Sequence, residues 1–394
     1  MKFVEFETKN ELLSRTTGII ESMSSGAVYW SSMILHAPDN SPELQFIEAL
    51  SAAQQRSVDT HLYLDEDYNN RMTISGNRHI PRGFPRLTSS ERKLTYENEC
   101  TQNSNQENFS SLLLPTPKLF QIKTDANWPR RLASQHLLQK LAPFHPKVGV
   151  LENVDAQQNL VTIGTGNLQY TPDMLDFALT IDSAKAASVV KNILSGNVNS
   201  SGYAEASLDD NIRLVCDYSN LGQPGRLPRL NDIAHQLINP SYDTKGTPSK
   251  RKPSSIIFMS QYLPDGQLAN ALALAKQNGA EVTIPLQPVN DHRRRAMGYH
   301  AWTSLHHKKL EAAGISLPER SQVSHNKCLL VHYDDSTKAM IFGSDNFMTT
   351  MQKFVRTPEI SIVIDPVGAG EPGREIIDRA YEVLRGIDFP EETQ

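Results

Sequence analysis

A chain of 394 residues with 39 % hydrophobic and 21 % charged side chains has enough apolar material for two domain cores, which excludes a fibrous or disordered composition. Its formal net charge of −5 excludes a global electrostatic pull on nucleic acid or anionic lipid, so any anion binding must be local. Cys100, Cys216 and Cys328 are scattered and odd in number, which argues against a disulfide framework or a cysteine zinc site and fits a reducing compartment.

In chain order, the opening MKFVEFETKNELLSR is mixed and charged, without the apolar stretch of a secretory signal. No apolar run approaches the ~18 residues of a membrane span. A cytoplasmic protein is expected, in at most peripheral contact with a membrane. Ala27–Leu35 reads as a strand. Ser41-Pro42-Glu43 starts a helix whose apolar face is Leu44, Ile47, Ala49 and Leu50. Val58–Asp65 reads as the next strand, which completes a β-α-β unit and implies a parallel pair. Residues 69–128 are polar and read as an insertion.

The same order returns later. Ile256–Pro264 reads as a strand, Gly266–Asn278 as an amphipathic helix closed by Gly279, and Glu281–Pro288 as a second strand. Residues 240–254, rich in Pro, Ser, Thr and Lys, read as a linker. This divides the chain into an N-terminal half at 1–239 and a C-terminal half at 255–394. GREIIDRAYEVLRGI near the C-terminus reads as a helix.

Each unit leads to the same polar residues. In the first half His145 and Lys147, placed to alternate along a strand and share a face, precede Gly164, Thr165, Gly166 and Asn167. In the second, His325 and Lys327 precede Gly343, Ser344, Asp345 and Asn346. The His-to-Asn separation is 22 residues in one half and 21 in the other. An acid then opens an apolar run, Asp176 in one half and Glu359 in the other, and such an acid can orient an imidazole through its other ring nitrogen. A lone H-x-K or G-x-x-N means little. Two copies of four elements in one order point to a shared site.

These residue types suit a phosphodiester, a poorly electrophilic anion. Two lysines and two asparagines, with Thr165 and Ser344, can hold its oxygens while charge builds. One imidazole can attack phosphorus and a second can protonate the leaving oxygen. The lysines supply the positive charge, so neither metal nor cofactor is called for.

The doubled H-x-K…G-[ST]-x-N pattern resembles the phospholipase D superfamily over most of the chain. The resemblance implies two pseudo-symmetric α-β-α sandwich domains with mixed sheets and an active site at their interface. It also implies a covalent intermediate on one histidine, assigned here to His145, with His325 as the general acid. The family often has Asp five residues after the Lys; here Glu152 and His332 stand there. The tyrosyl-DNA phosphodiesterase branch lacks that Asp as well.

Two substrate classes stay open. Gln261-Tyr262-Leu263-Pro264-Asp265 with Leu268, Ala271 and Leu272, and later Leu310–Ile315, resemble the cardiolipin synthase branch and favour phospholipid. The missing Asp and the basic Lys250-Arg251-Lys252 point to nucleic acid, as for a nuclease or DNA-end phosphodiesterase. A third reading is a non-catalytic relic that binds an anion, against which both His-Lys pairs are intact. The clusters 291–295 and His306–Lys309 read as solvated helix faces or as an anion-attracting rim. Trp30, Trp128 and Trp302 read as core or rim residues, and His332 as a structural strand-end residue. The acceptor and the oligomeric state stay open.

Overall fold

The computed structural model describes residues 1–32, 35–37, 40–64, 146–169, 171, 174–194, 203–217, 229–240, 251–264, 266–287, 307–320, 322–345, 347 and 359–388. The insertion at 69–128, the cluster 291–295, Trp128, Trp302 and most of the linker lie outside them, as do His145 and Asn346.

Two mixed sheets organise the fold. The first has six strands, β1 (Lys2–Thr8), β9 (Phe177–Asp182), β6 (Gln158–Gly164), β5 (Val148–Asn153), β2 (Gly26–Ser32) and β4 (Asp59–Leu64), in that spatial order. The second has seven, β10 (Tyr203–Asp209), β11 (Ile212–Asp217), β17 (Glu359–Val367), β16 (Lys338–Gly343), β15 (Cys328–Tyr333), β12 (Pro253–Met259) and β13 (Glu281–Thr283). Each sheet contains one parallel pair, β2 with β4 and β12 with β13, and these are the two expected β-α-β units. The remaining ladders of these two sheets are antiparallel; some are hairpins, such as β5 with β6 and β15 with β16, and others join distant strands, such as β1 with β9 and β12 with β15.

The crossover helices start on local signals. For α2 (Pro42–Gln55) the Ser41 hydroxyl accepts from the Leu44 amide at 3.1 Å, and Pro42 occupies the first turn. α1 (Lys9–Ser22) opens with a capping box of Thr8 and Glu11. α1 and α2 bury Leu12, Leu13, Ile20, Phe46 and Leu50 against the outer face of the first sheet. α4 (Arg229–Ile238) and α5 (Gly266–Gln277) do the same on the outer face of the second, with Ile233, Leu268 and Leu272. Gly279, at φ +98°, lets the chain turn from α5 into β13.

Between the sheets lies one shared core. It takes Val150, Ile163 and Leu179 from the first sheet and Leu330, Phe342 and Ile362 from the second. α3 (Ala184–Leu194) and α6 (Arg374–Asp388) add Val190, Ile193, Ile376 and Ile377 to it. Central strands are therefore buried on both faces and read as continuous apolar runs: β15 sends Leu330 inward and Leu329 outward. The result is the expected pair of α-β-α layers, facing each other across a common interior.

Hydrogen bonding divides the chain earlier than the linker at 240–254. Strands β10 and β11 lie before residue 239 but belong to the second sheet, because β11 pairs with β17 from Ile212–Ile364 to Asp217–Glu359. Ile212 and Leu214 would expose apolar surface without that partner.

Candidate active site

The site forms where β5 and β15 begin. The H-x-K residues were expected inside strands. Instead Lys147 stands just before β5, and His325 and Lys327 lie between β14 (Val323–Ser324) and β15. Two carbonyls continue the ladder to the Gly of the later motif: Gly164 N donates to Lys147 O at 2.8 Å and Gly343 N to Lys327 O at 3.3 Å. This pairing brings each lysine beside its own G-[ST]-x-N turn.

A second short ladder brings the halves together. β14 runs parallel to β8 (Met174–Leu175), pairing Val323 with Met174 and Ser324 with Leu175. The His325 amide then donates to the Leu175 carbonyl at 2.8 Å. Asp176, the next residue, is thereby set beside the histidine of the other half. His325 Nδ1 lies 3.2 Å from Asp176 Oδ1, across 149 residues of sequence. The other ring nitrogen, Nε2, lies 2.9 Å from the Gln261 carboxamide oxygen.

Each acid is also held by the hydroxyl of its own motif. Thr165 donates to Asp176 Oδ1 at 3.3 Å and accepts from the Phe177 amide at 3.0 Å. Ser344 donates to Glu359 Oε2 and accepts from the Ile360 amide at 3.0 Å. Both hydroxyls are fully buried. Where phosphate contacts were expected, Ser344 donates to Glu359, and the Thr165 hydroxyl lies 3.3 Å from both Asp176 Oδ1 and the Phe177 carbonyl. Gly166 is required for the arrangement, because a Cβ there would lie 2.5 Å from the Asp176 carboxyl carbon.

The electrostatics are those of a dry, charged cleft. Lys147 and Lys327 are both buried, and Lys327 Nζ donates to the His325 carbonyl at 2.8 Å. Burial lowers the Lys147 pKa to about 8, partly offset by Glu359 and Asp176. Burial, and then the charge of Lys147, pushes Lys327 well below the usual ammonium range. Burial and Lys327 lower His325 to about 3 against the opposing pull of Asp176. For Asp176 burial acts upward, but the His325 contact and the charges of His325, Lys9 and Lys327 outweigh it and leave the carboxyl at about 2. The two lysines destabilise cations in this space and would be relieved by a bound anion.

Asn167 is buried and lines a pocket with Lys147, Lys9 and Trp30. Trp30 is a wall residue packed on Phe46, with ring centroids 4.7 Å apart. Lys9 pairs with the buried Glu43 at 2.8 Å. Neither Lys9 nor Gln261 was among the residues singled out as site members. Lys9 lies far from any motif and gives no signal. Gln261 follows the carboxyl end of a parallel strand, where α/β sheets open their clefts.

Other candidates fall outside the site. Glu152 pairs with Lys191 of α3, and His332 packs on Tyr381 of α6 with ring centroids 5.1 Å apart. The position five residues after each lysine thus faces an inner helix. Arg251 of the basic stretch pairs with Asp335 at 2.8 Å. Lys309 bonds Asn270 and His307 approaches Glu311 at 3.3 Å, as on a solvated helical face. Among the described residues no helix is long and apolar enough to cross a membrane.

Residues 250–371 match the family described as cardiolipin synthase, phospholipase D-like domain. No curated protein sequence matches the chain. Among solved structures, polyphosphate kinase from Porphyromonas gingivalis is similar at 13% identity and TM-score 0.48, covering 96% of this chain and 50% of that one. The present chain thus spans about half the length of that kinase. A mutant of yeast tyrosyl-DNA phosphodiesterase is similar at 8% identity and TM-score 0.48, covering 92% and 90% of the two chains. Nuc from Salmonella typhimurium, a phospholipase D family member, is similar at 19% identity and TM-score 0.30, covering 44% and 91%. Residues 250–371, which hold the second motif and bring His325 and Lys327 to the cleft, are thus similar to a phospholipase D-like domain.

Proposed function

We propose that this chain is a phosphodiesterase or phosphatidyltransferase that acts on phospholipid through a covalent phosphohistidine. The observation that carries the reading is the 3.2 Å contact between His325 and Asp176, made at two buried lysines by residues from opposite halves. His145, two residues before Lys147, is the nucleophile: its Nε2 attacks phosphorus as the bond to the leaving oxygen breaks. His325 is neutral in the free site, and the negative charge of the bound diester draws a proton onto it. His325 then gives the leaving oxygen its Nε2 proton while Asp176 holds Nδ1. Water or an alcohol then gives a proton back to His325, attacks phosphorus and breaks the P–N bond. Lys147, Lys327, Asn167 and Asn346 hold the non-bridging oxygens through both steps. By the symmetry of the two motifs, Glu359, tied to Ser344, is assigned the role toward His145 that Asp176 has toward His325.

The family matched by residues 250–371 supports lipid as the substrate. The Arg251–Asp335 pair weakens the nucleic-acid alternative, because it occupies part of the one basic stretch that favoured it. The test is to incubate the chain separately with phosphatidylglycerol vesicles and with labelled single-stranded DNA, with His145→Ala as control. Lipid turnover that vanishes in the variant is expected. Turnover of DNA alone would replace this reading with that of a nuclease or DNA-end phosphodiesterase.

A further inference from the structure

Gln261 touches the one ring nitrogen of His325 left for chemistry. Asp176 takes Nδ1, and the Gln261 carboxamide lies 2.9 Å from Nε2. A proton-transferring histidine has to pass through two states. As imidazolium it donates from both nitrogens; as neutral imidazole held by Asp176 it presents a lone pair at Nε2. A carboxamide suits both, since its oxygen accepts in the first state and a half-turn presents its NH2 to the second. A carboxylate would favour only the cation, and an apolar side chain would serve neither.

The register places this residue asymmetrically. Met259 stands opposite Cys328, the residue after Lys327. In the first half the Ser31 hydroxyl meets the amide of Val148, the residue after Lys147, and Trp30 pairs with Gly149. Met259 therefore corresponds to Ser31, and Gln261 to Met33, a residue outside the described ones. A thioether has no proton to give and accepts weakly. Two histidines that are equivalent by motif thus differ in sequence at the position that holds Gln261 in the second half.

We propose that Gln261 is the resting partner of His325 Nε2, exchanging places with the leaving-group and acceptor oxygens, and that it fixes His325 rather than His145 as the proton carrier. This rests on the phosphodiesterase reading above and makes Gln261 a positioning residue. The charged groups facing His325 are Asp176 of the first half, Lys147 before β5 and Lys327 before β15. Asp176 is committed to Nδ1, and the hydrogen bond at Nε2 is made to Gln261.

The test uses the full chain and two soluble phosphodiesters, one with a p-nitrophenyl leaving group and one with an alkyl leaving group. First-product release is followed in a single turnover. A p-nitrophenolate needs no proton to depart, whereas an alkoxide does. Gln261→Met should slow release of the alkyl alcohol about tenfold, part of the ~10²–10⁴ that a positioned acid supplies, and change p-nitrophenol release less than about twofold. Gln261→Glu, which favours the imidazolium, should raise the His325 titration midpoint followed by nitrogen NMR. Equal slowing on both esters in Gln261→Met, or an unmoved His325 titration in Gln261→Glu, would overturn the role of Gln261. A wild-type chain inactive on both esters would overturn the phosphodiesterase reading, and this proposal with it.

Discussion

Thr165 donates its hydroxyl proton to Oδ1 of Asp176, the same carboxylate oxygen that faces His325. One buried oxygen thus couples the G-[ST]-x-N turn of one half to the histidine of the other. Thr165→Val keeps the shape and removes the donor, and it also strands the Phe177 amide. Removing a hydrogen bond to a buried charge should cost about 1–3 kcal/mol in urea unfolding, together with a loss of turnover. Ser344→Ala should behave alike at Glu359 and Ile360.

Asp176→Asn isolates the charge from the geometry. The amide oxygen can still accept from Nδ1, but the imidazolium formed during proton transfer loses its counter-charge. Turnover should fall on the order of 10²-fold or more, with much smaller change in affinity for a phosphate-containing inhibitor. Parallel measurements of kcat and inhibitor binding separate the two effects.

Alkaline pH should switch off productive binding through Lys147. Its pKa is lowered to about 8 by burial, so the free enzyme loses the ammonium as pH rises through that value. kcat/KM is expected to fall there. The limb in kcat should lie higher, because a bound anion stabilises the ammonium in the complex. Lys147→Arg, always charged, should abolish the kcat/KM limb even if its rate is low.

Chelation should leave turnover unchanged, since Lys147 and Lys327 provide the positive charge in the proposed mechanism. Activity lost in chelator and regained with a divalent ion would contradict that chemistry.

Acid should destabilise the fold through His325 well above the carboxylate range. Folded His325 has its pKa depressed to about 3 from an ordinary 6.5, chiefly by burial. Between these values the unfolded chain binds a proton that the folded chain refuses, so stability decreases as pH falls through the window. His332, depressed to about 4 by burial and Lys338, acts in the same direction. Urea midpoints measured from pH 7 to 4 should decline less steeply in His325→Gln. Asp176, depressed to about 2, adds a separate loss only at lower pH.

Much of this was legible in the sequence. Pro42, Gly266 and Gly279 marked the crossover helices, and the doubled His-Lys and Gly-Asn spacing pointed to a shared site, of which Lys147, Asn167, His325 and Lys327 are among the described residues. Three features were not. The H-x-K residues alternate on paper like strand residues, but the β8–β14 ladder holds His325 outside a strand. Thr165 and Ser344 look like phosphate ligands until the following strand brings an acid onto them. Strands β10 and β11 carry no signal of the sheet they join, because an edge partner is chosen by the exposed rim of β17, far along the chain. Each depends on a long-range contact, which local propensity and periodicity do not encode.

The crossing of β10 and β11 into the second sheet has a consequence for any cut at the 240–254 segment. The amino-terminal fragment would leave with a naked two-stranded ribbon, and the carboxyl-terminal fragment with β17 as a bare rim. Each piece would present the other's missing neighbour, so the severed chain is built to reassemble by strand addition and to aggregate when its counterpart is absent.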